Sequence, residues 1–264
     1  MPKPTFLFHE LTREEIGRRA SAGAIAVLPV GATEQHGPHL PVGTDTFAVE
    51  HIVRQAVAHI SDQVPALVTP TLPFGCSPHH LPFGGTLSFS STTYYALITE
   101  LVESLLTDGF SRVMIINGHG GNHELVQLVV RDLALKHPVD LAAASYWQMA
   151  GTALIETSEA PGGRTPGHAG HFETSIVMAL QPDLVAEPRP ARSDDPSLID
   201  PVELTSRLRV ERHDAWQRFD GFTDSPSTAS AELGRRYLDV AITAVAEVIA
   251  SFHRSTAPGK RIPG

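Results

Sequence analysis

Cysteine is almost absent from this chain. Cys76 is the single thiol among 264 residues, so no intrachain disulfide can form, and the expected state of Cys76 is an inert buried thiol. Long apolar runs are also missing: nowhere do about 18 apolar residues follow one another, which argues against a membrane-spanning helix. The opening stretch MPKPTFLFHELTREEIGRRA lacks the continuous apolar segment of a signal peptide, so a cytoplasmic protein is expected. The net charge of -9 is spread along the chain with no Lys/Arg cluster, which leaves no electrostatic footprint for nucleic acid. Neither nucleic acid nor a membrane is an expected partner. Aromatic residues are few, at 6%, but 42% apolar and 19% charged residues are ordinary for a globular chain. One domain over 1–264 is expected.

Histidine is what the chain has in plenty, with fourteen residues. Eight of them, at 36, 39, 79, 80, 119, 123, 168 and 171, fall in four short segments rich in Gly or Pro. Imidazoles gathered at loops point to metal. Apolar runs of strand length at 24–30, 66–72, 113–116 and 141–146 alternate with segments of helical spacing at 13–22, 46–59, 92–108 and 123–136. The first helix has a T-x-x-E capping box in Thr12 and Glu15. A last long helix is expected over 229–252, and 181–220, rich in Pro, Asp and Arg, reads as an irregular surface excursion or oligomer contact. Alternation with continuously apolar strands predicts an α/β fold, a three-layer α/β/α sandwich around a mostly parallel sheet. Ligands then bind beyond the carboxyl ends of the strands, where the histidine-rich segments sit.

The first segment, GATEQHGPHLPVGTD over 31–45, sets Glu34 and His36 two apart on extended chain, so both project to one side. Asp45 returns after a Gly/Pro turn. Carboxylate and neutral imidazole together suit Zn, Mn or Fe rather than Ca or Mg. His39 reads as a supporting or surface histidine. The third segment, NGHGGN over 117–122, ends a strand in glycines and opens a helix. It lacks the Gly-Lys-Ser/Thr of a phosphate loop, so His119 reads as a metal ligand, and His123 and Glu124 as structural. In the fourth segment, GHAGHFETS over 167–175, His168 precedes a helix and Glu173 lies in its first turn or two; beside metal, His168 suits general acid or base work at its ordinary pKa. His171 and Glu173, two apart on a helix, cannot face one way, and His171 is set aside. The second segment, 75–88, is long enough to cover a pocket. Ser77 and Thr86 offer hydroxyls there, and His79 and His80 become ligands only if it turns inward.

EQHGPHLP with Asp45, NGHGGN, HAG-x-x-ETS, F-x-G-T-x-S over 83–88 and ASAE-x-G over 229–234 together resemble the creatininase family. The resemblance spans about 25–249. It implies a single α/β/α domain, a homohexamer, and two divalent ions (Zn, Mn or Fe) hydrolysing a carbon-nitrogen bond of a small cyclic or linear amide. By position, Glu34, Asp45 and His119 would hold one ion, His36 and Asp45 the other, and His168 would be the catalytic histidine. Where the creatinine enzyme has Tyr and a metal-binding Glu after the third-motif histidine, this chain has Gly120 and Gly121. Either Glu173 replaces that ligand or the second site is poorly filled. Creatinine itself is not the expected substrate. Ser77, Gly120 and Trp147 are the candidate substrate contacts. A lactone or cyclic ketone hydrolase on the same fold, or a metal-binding scaffold without activity, are the alternatives.

Overall fold

The computed structural model describes residues 5–158, 165–191 and 213–256. Helix α1 (Arg13–Ser21) leads into strand β1 (Ile25–Val30). Next come α2 (Thr44–Ile60), β2 (Ala66–Val68), α3 (Ser91–Thr107), β3 (Arg112–Asn117), α4 (His123–Ala134) and β4 (Asp140–Ser145). The remaining helices are α5 (Tyr146–Ala150), α6 (Thr152–Thr157), α7 (His171–Leu180), α8 (Ala215–Arg218) and α9 (Ala231–Ser255). Among the described residues the strands pair in parallel in the order β2-β1-β3-β4.

Side chains along each strand alternate between two cores. Ile25, Val27, Ala66, Val68, Met114 and Ile116 pack toward α2, α7 and α9, whereas Ala26, Leu28, Val30, Leu67, Val113 and Ile115 pack toward α1, α3 and α4. That makes the three layers. Full burial of each large aliphatic side chain contributes roughly 1.5–3 kcal/mol, which explains why the central strands carry almost nothing polar.

Helix α1 starts at Thr12, whose hydroxyl accepts the Glu15 N–H at 3.3 Å. The other half of the expected capping box does not form, because the Glu15 carboxylate turns to Arg18 and Arg19. Strand β2 is shorter than the apolar run at 66–72. Thr69 N–H still reaches the Val27 carbonyl and Leu72 N–H the Pro29 carbonyl, but Pro70 between them has no N–H, so the ladder is interrupted. The 181–220 stretch departs from expectation as well, since α8 lies within it; 192–212 lies outside the described residues.

The site-forming feature is the divergence of β1 and β3. The helix after β1 crosses one face of the sheet and the helix after β3 the other, which opens a crevice at their carboxyl ends. The first turn of α2 is pressed into it. A Cβ on Gly118 would stand 2.6 Å from Val49 Cβ and 3.1 Å from the Asp45 carbonyl oxygen, so only glycine lets the helix start so close to the end of β3.

Candidate metal centre and cavity

Asp45 lies in the first turn of α2 rather than on the returning loop, where the positive end of the helix favours its charge. Glu34 and His36 come from the loop leaving β1, His119 follows β3, and Glu173 sits in the first turn of α7. All converge. Asp45 Oδ2 is 3.1 Å from His119 Nδ1, which in turn is 3.3 Å from Glu34 Oε1. Asp45 Oδ1 is 3.3 Å from His36 Nε2, and Glu173 Oε2 lies 3.6 Å from the same nitrogen. Glu34, Asp45 and His119 form one group with metal-ligand spacing and His36, Asp45 and Glu173 another, each with its donor atoms within 4.8 Å. Asp45 belongs to both.

Tautomers follow from the hydrogen bonds. His36 Nδ1–H donates to the Glu34 carbonyl at 3.1 Å, and His119 Nε2–H to the Cys76 carbonyl at 3.2 Å, beside the Ser77 hydroxyl at 3.0 Å. Each ring thus spends one N–H on its support and turns the other nitrogen into the cluster, the arrangement that fixes a metal-ligating imidazole. Both Glu34 carboxylate oxygens, Asp45 Oδ2 and His36 Nε2 are buried and make no aligned hydrogen bond to a described residue. Such a set is costly to bury uncompensated and fits a divalent cation of the Zn, Mn or Fe kind in each group.

The electrostatics agree. Burial alone would neutralise each group, but His119, with His168 and His80, holds the Glu34 carboxyl well below its usual range. Against the same burial, Glu34 and Asp45 hold His119 well above its ordinary pKa, and Asp45 and Glu173 raise His36 to about 10. Burial pushes Glu173 up to about 8, with His36 pulling the other way. The cluster demands positive charge.

His168 stands beside it, its ring 4.4 Å from that of His36. Its Nε2 lies 3.0 Å from the Gln35 carbonyl oxygen and its Nδ1 3.5 Å from Glu34 Oε1. Gln35 Nε2 lies 3.1 Å from the same Nε2, and donation from Nε2 to the nearer carbonyl oxygen leaves the Nδ1 lone pair on the side of Glu34. Burial, helped by His36, lowers its pKa to about 3, well below the ordinary value expected from sequence, so the surroundings favour the uncharged imidazole.

Glu34, Asp45, His119, Gly120, His168 and Glu173 border one cavity of about 330 Å³, within the range of small-molecule sites. Gly120 lines it, and a Cβ there would meet nothing within 4 Å. Trp147 both packs edge-on against Tyr146 at 5.1 Å and lines the cavity. Ser77 does not. It is fully buried, with its hydroxyl on His119, so it supports a ring rather than touching the cavity. His39 is buried and bonded to Thr174 at 2.8 Å, not at the surface. His171 faces away, toward Tyr237, and His123 bonds the Ser145 hydroxyl. A Cβ on Gly121 would fall 2.1 Å from the Cys76 carbonyl oxygen, so no larger residue fits where the creatinine enzyme carries its glutamate.

Sequence reasoning passed over Gln35 and Trp216 and left His79 and His80 conditional. The second segment does turn inward, as a 3-10 helix over Pro78–Phe83, and brings both histidines to the cavity wall. Trp216 of α8 covers them, with ring centres 5.3 Å from His79, 4.6 Å from His80 and 5.2 Å from His168. The signal available for Gln35 was its place between two candidate ligands. Nothing local marked Trp216.

The creatininase family, described as creatinine amidohydrolase, matches residues 9–249. A mycofactocin precursor peptide peptidase of Mycobacterium ulcerans is 31% identical over 215 residues, covering 80% of this chain and 78% of that protein. A creatinine amidohydrolase of Pseudomonas putida is 30% identical over 266 residues, covering 94% and 97%. Among solved structures, a Mn creatininase superposes with a TM-score of 0.79 at 28% identity over 97% of this chain and all of that one. A variant creatininase of Zn–Zn type does so at 0.75 and 27%, over 97% of this chain and all of its own.

Proposed function

The chain belongs to the creatininase family and is an amidohydrolase of carbon-nitrogen bonds, and from that premise we propose that it cleaves a small cyclic or linear amide at a two-ion centre. The observation carrying this is the division of Asp45, one oxygen toward His36 and the other toward His119. Glu34, Asp45 and His119 would hold one ion; His36, Asp45 and Glu173 the other. Ions bound there supply an activated water at neutral pH and polarise a carbonyl oxygen.

The chain's own side chains supply the rest. His168, with Nε2–H anchored on the Gln35 carbonyl, accepts a proton at Nδ1 and returns it to the departing nitrogen, without which an amine leaves poorly. Trp147, Trp216 and His79 wall the substrate off from water, and Gly120 leaves room where a side chain would narrow the floor. Crowding at Gly121 by Cys76 supports Glu173 as the replacement ligand. We read the whole of 1–264 as one domain, and the creatininase likeness supports a homohexamer; exposed Val42, Leu81 and Leu87, at 40%, 52% and 58%, are apolar surface that such an assembly would cover.

The test is elemental analysis with turnover. The wild type should carry about two ions per chain and hydrolyse members of a panel of lactams, linear amides and short peptides. Glu173→Ala should carry about one. An ion-free wild type inert on every amide would sink the reading, and cleavage of lactones alone would redirect it.

A further inference from the structure

Two rings in the cavity wall, His80 and His168, are stacked at 4.4 Å with planes 15° apart, and only His168 has a role so far. We propose that His80 is a second catalytic histidine, an uncharged imidazole whose Nε2–H donates to the substrate oxygen that gains negative charge as the amide is attacked. The inference rests on the hydrolase reading above and adds a donor to it.

Gln35 fixes which nitrogen carries the proton. Its Oε1 accepts the Gly37 N–H at 2.9 Å, which sets the amide's orientation. Its two N–H groups then serve the Gly221 carbonyl at 2.8 Å and His80 Nδ1 at 2.8 Å. Gln35 Nε2 also lies 3.1 Å from His168 Nε2, but that nitrogen spends its own proton on the Gln35 carbonyl at 3.0 Å; with both Gln35 hydrogens on the shorter 2.8 Å contacts, Nδ1 of His80 is an acceptor and the ring's proton is on Nε2. That Nε2 is 3.7 Å from Glu34 Oε1, beyond hydrogen-bond reach. His80 is 1% exposed, yet it borders the cavity. The ring is packed between the His168 stack and the edge contact with Trp216.

The outcome is a pair of opposite polarity. His168 Nδ1 and His80 Nε2 lie 3.5 Å and 3.7 Å from the same Glu34 oxygen, so an accepting nitrogen and a donating N–H flank one place. A preset donor at the position of developing charge lowers the barrier without reorganisation. The geometry also argues against His80 as a metal ligand, although Glu34, His79 and His80 have the spacing for one. Ligation through Nε2 would need its proton moved to Nδ1, which already receives an N–H from Gln35.

His80→Phe keeps the ring and the stack and removes the donor; His80→Asn restores an N–H. On Zn-loaded protein, with the best amide of the panel, His80→Phe should keep about two ions per chain and lose about 10²–10³-fold in kcat, with KM within about threefold and part of the loss recovered in His80→Asn. Nitrogen-15 histidine spectra of the Zn-loaded wild type should place the His80 proton on Nε2, a reading that stands even where a variant fails to fold. Wild-type turnover in His80→Phe, loss of an ion from it, or a proton on Nδ1 would each overturn the proposal. Those outcomes differ from an inert wild type, which would bring down the hydrolase reading itself.

Discussion

In the proposed centre Asp45 and His168 have different roles, and their variants should separate. Asp45→Ala removes the carboxylate common to both groups, so elemental analysis should find both ions largely gone. His168→Ala should keep about two ions and lose roughly 10²–10⁴-fold in turnover, the usual worth of a positioned acid or base; full activity there would remove the histidine from the mechanism. The convergence of Glu34, His36, Asp45, His119 and His168 was legible because each sits in a short segment of distinctive composition, the first four after a strand and His168 before a helix. His80 was legible only conditionally, Gln35 only through its place between two candidate ligands, and Trp216 not at all. How the 75–88 loop and α8 fold over the cavity rests on contacts up to 186 residues apart, which leave no local pattern.

Elements were readable to the extent that burial decided them. Continuous apolar runs gave β1 and β3, and helical spacing gave α2, α3 and α4, because each buries one side of its surface against the sheet. Local chemistry moved the boundaries: Pro70 cut β2 short, and α2 began early enough to take Asp45 into its first turn. That early start depends on Gly118. Gly118→Ala would force Val49 and the Asp45 backbone outward, and overpacking of this kind costs about 1–3 kcal/mol. A lower urea midpoint together with reduced metal content is the expected result. Unchanged values would mean that α2 shifts freely and that its position does not set the centre.

At the scale of the molecule, among the described residues no helix is long and apolar enough to cross a membrane, and exposed Phe74, Leu81 and Leu87, with Val42 beside Gly85, lie in or next to the 75–88 segment, whereas Leu135, Ile155 and Leu184 lie elsewhere. If that segment is a subunit contact, Leu87→Lys should give a smaller particle than the wild type by light scattering, at similar metal content. A wild type that is already monomeric would remove the hexamer. The division of Asp45 reaches beyond any single variant. Two ions sharing that one carboxylate would not bind independently: the first would turn the side chain and so set the affinity left for the second. Titration of the metal-free protein would then show two interdependent binding steps where unshared sites would show independent ones.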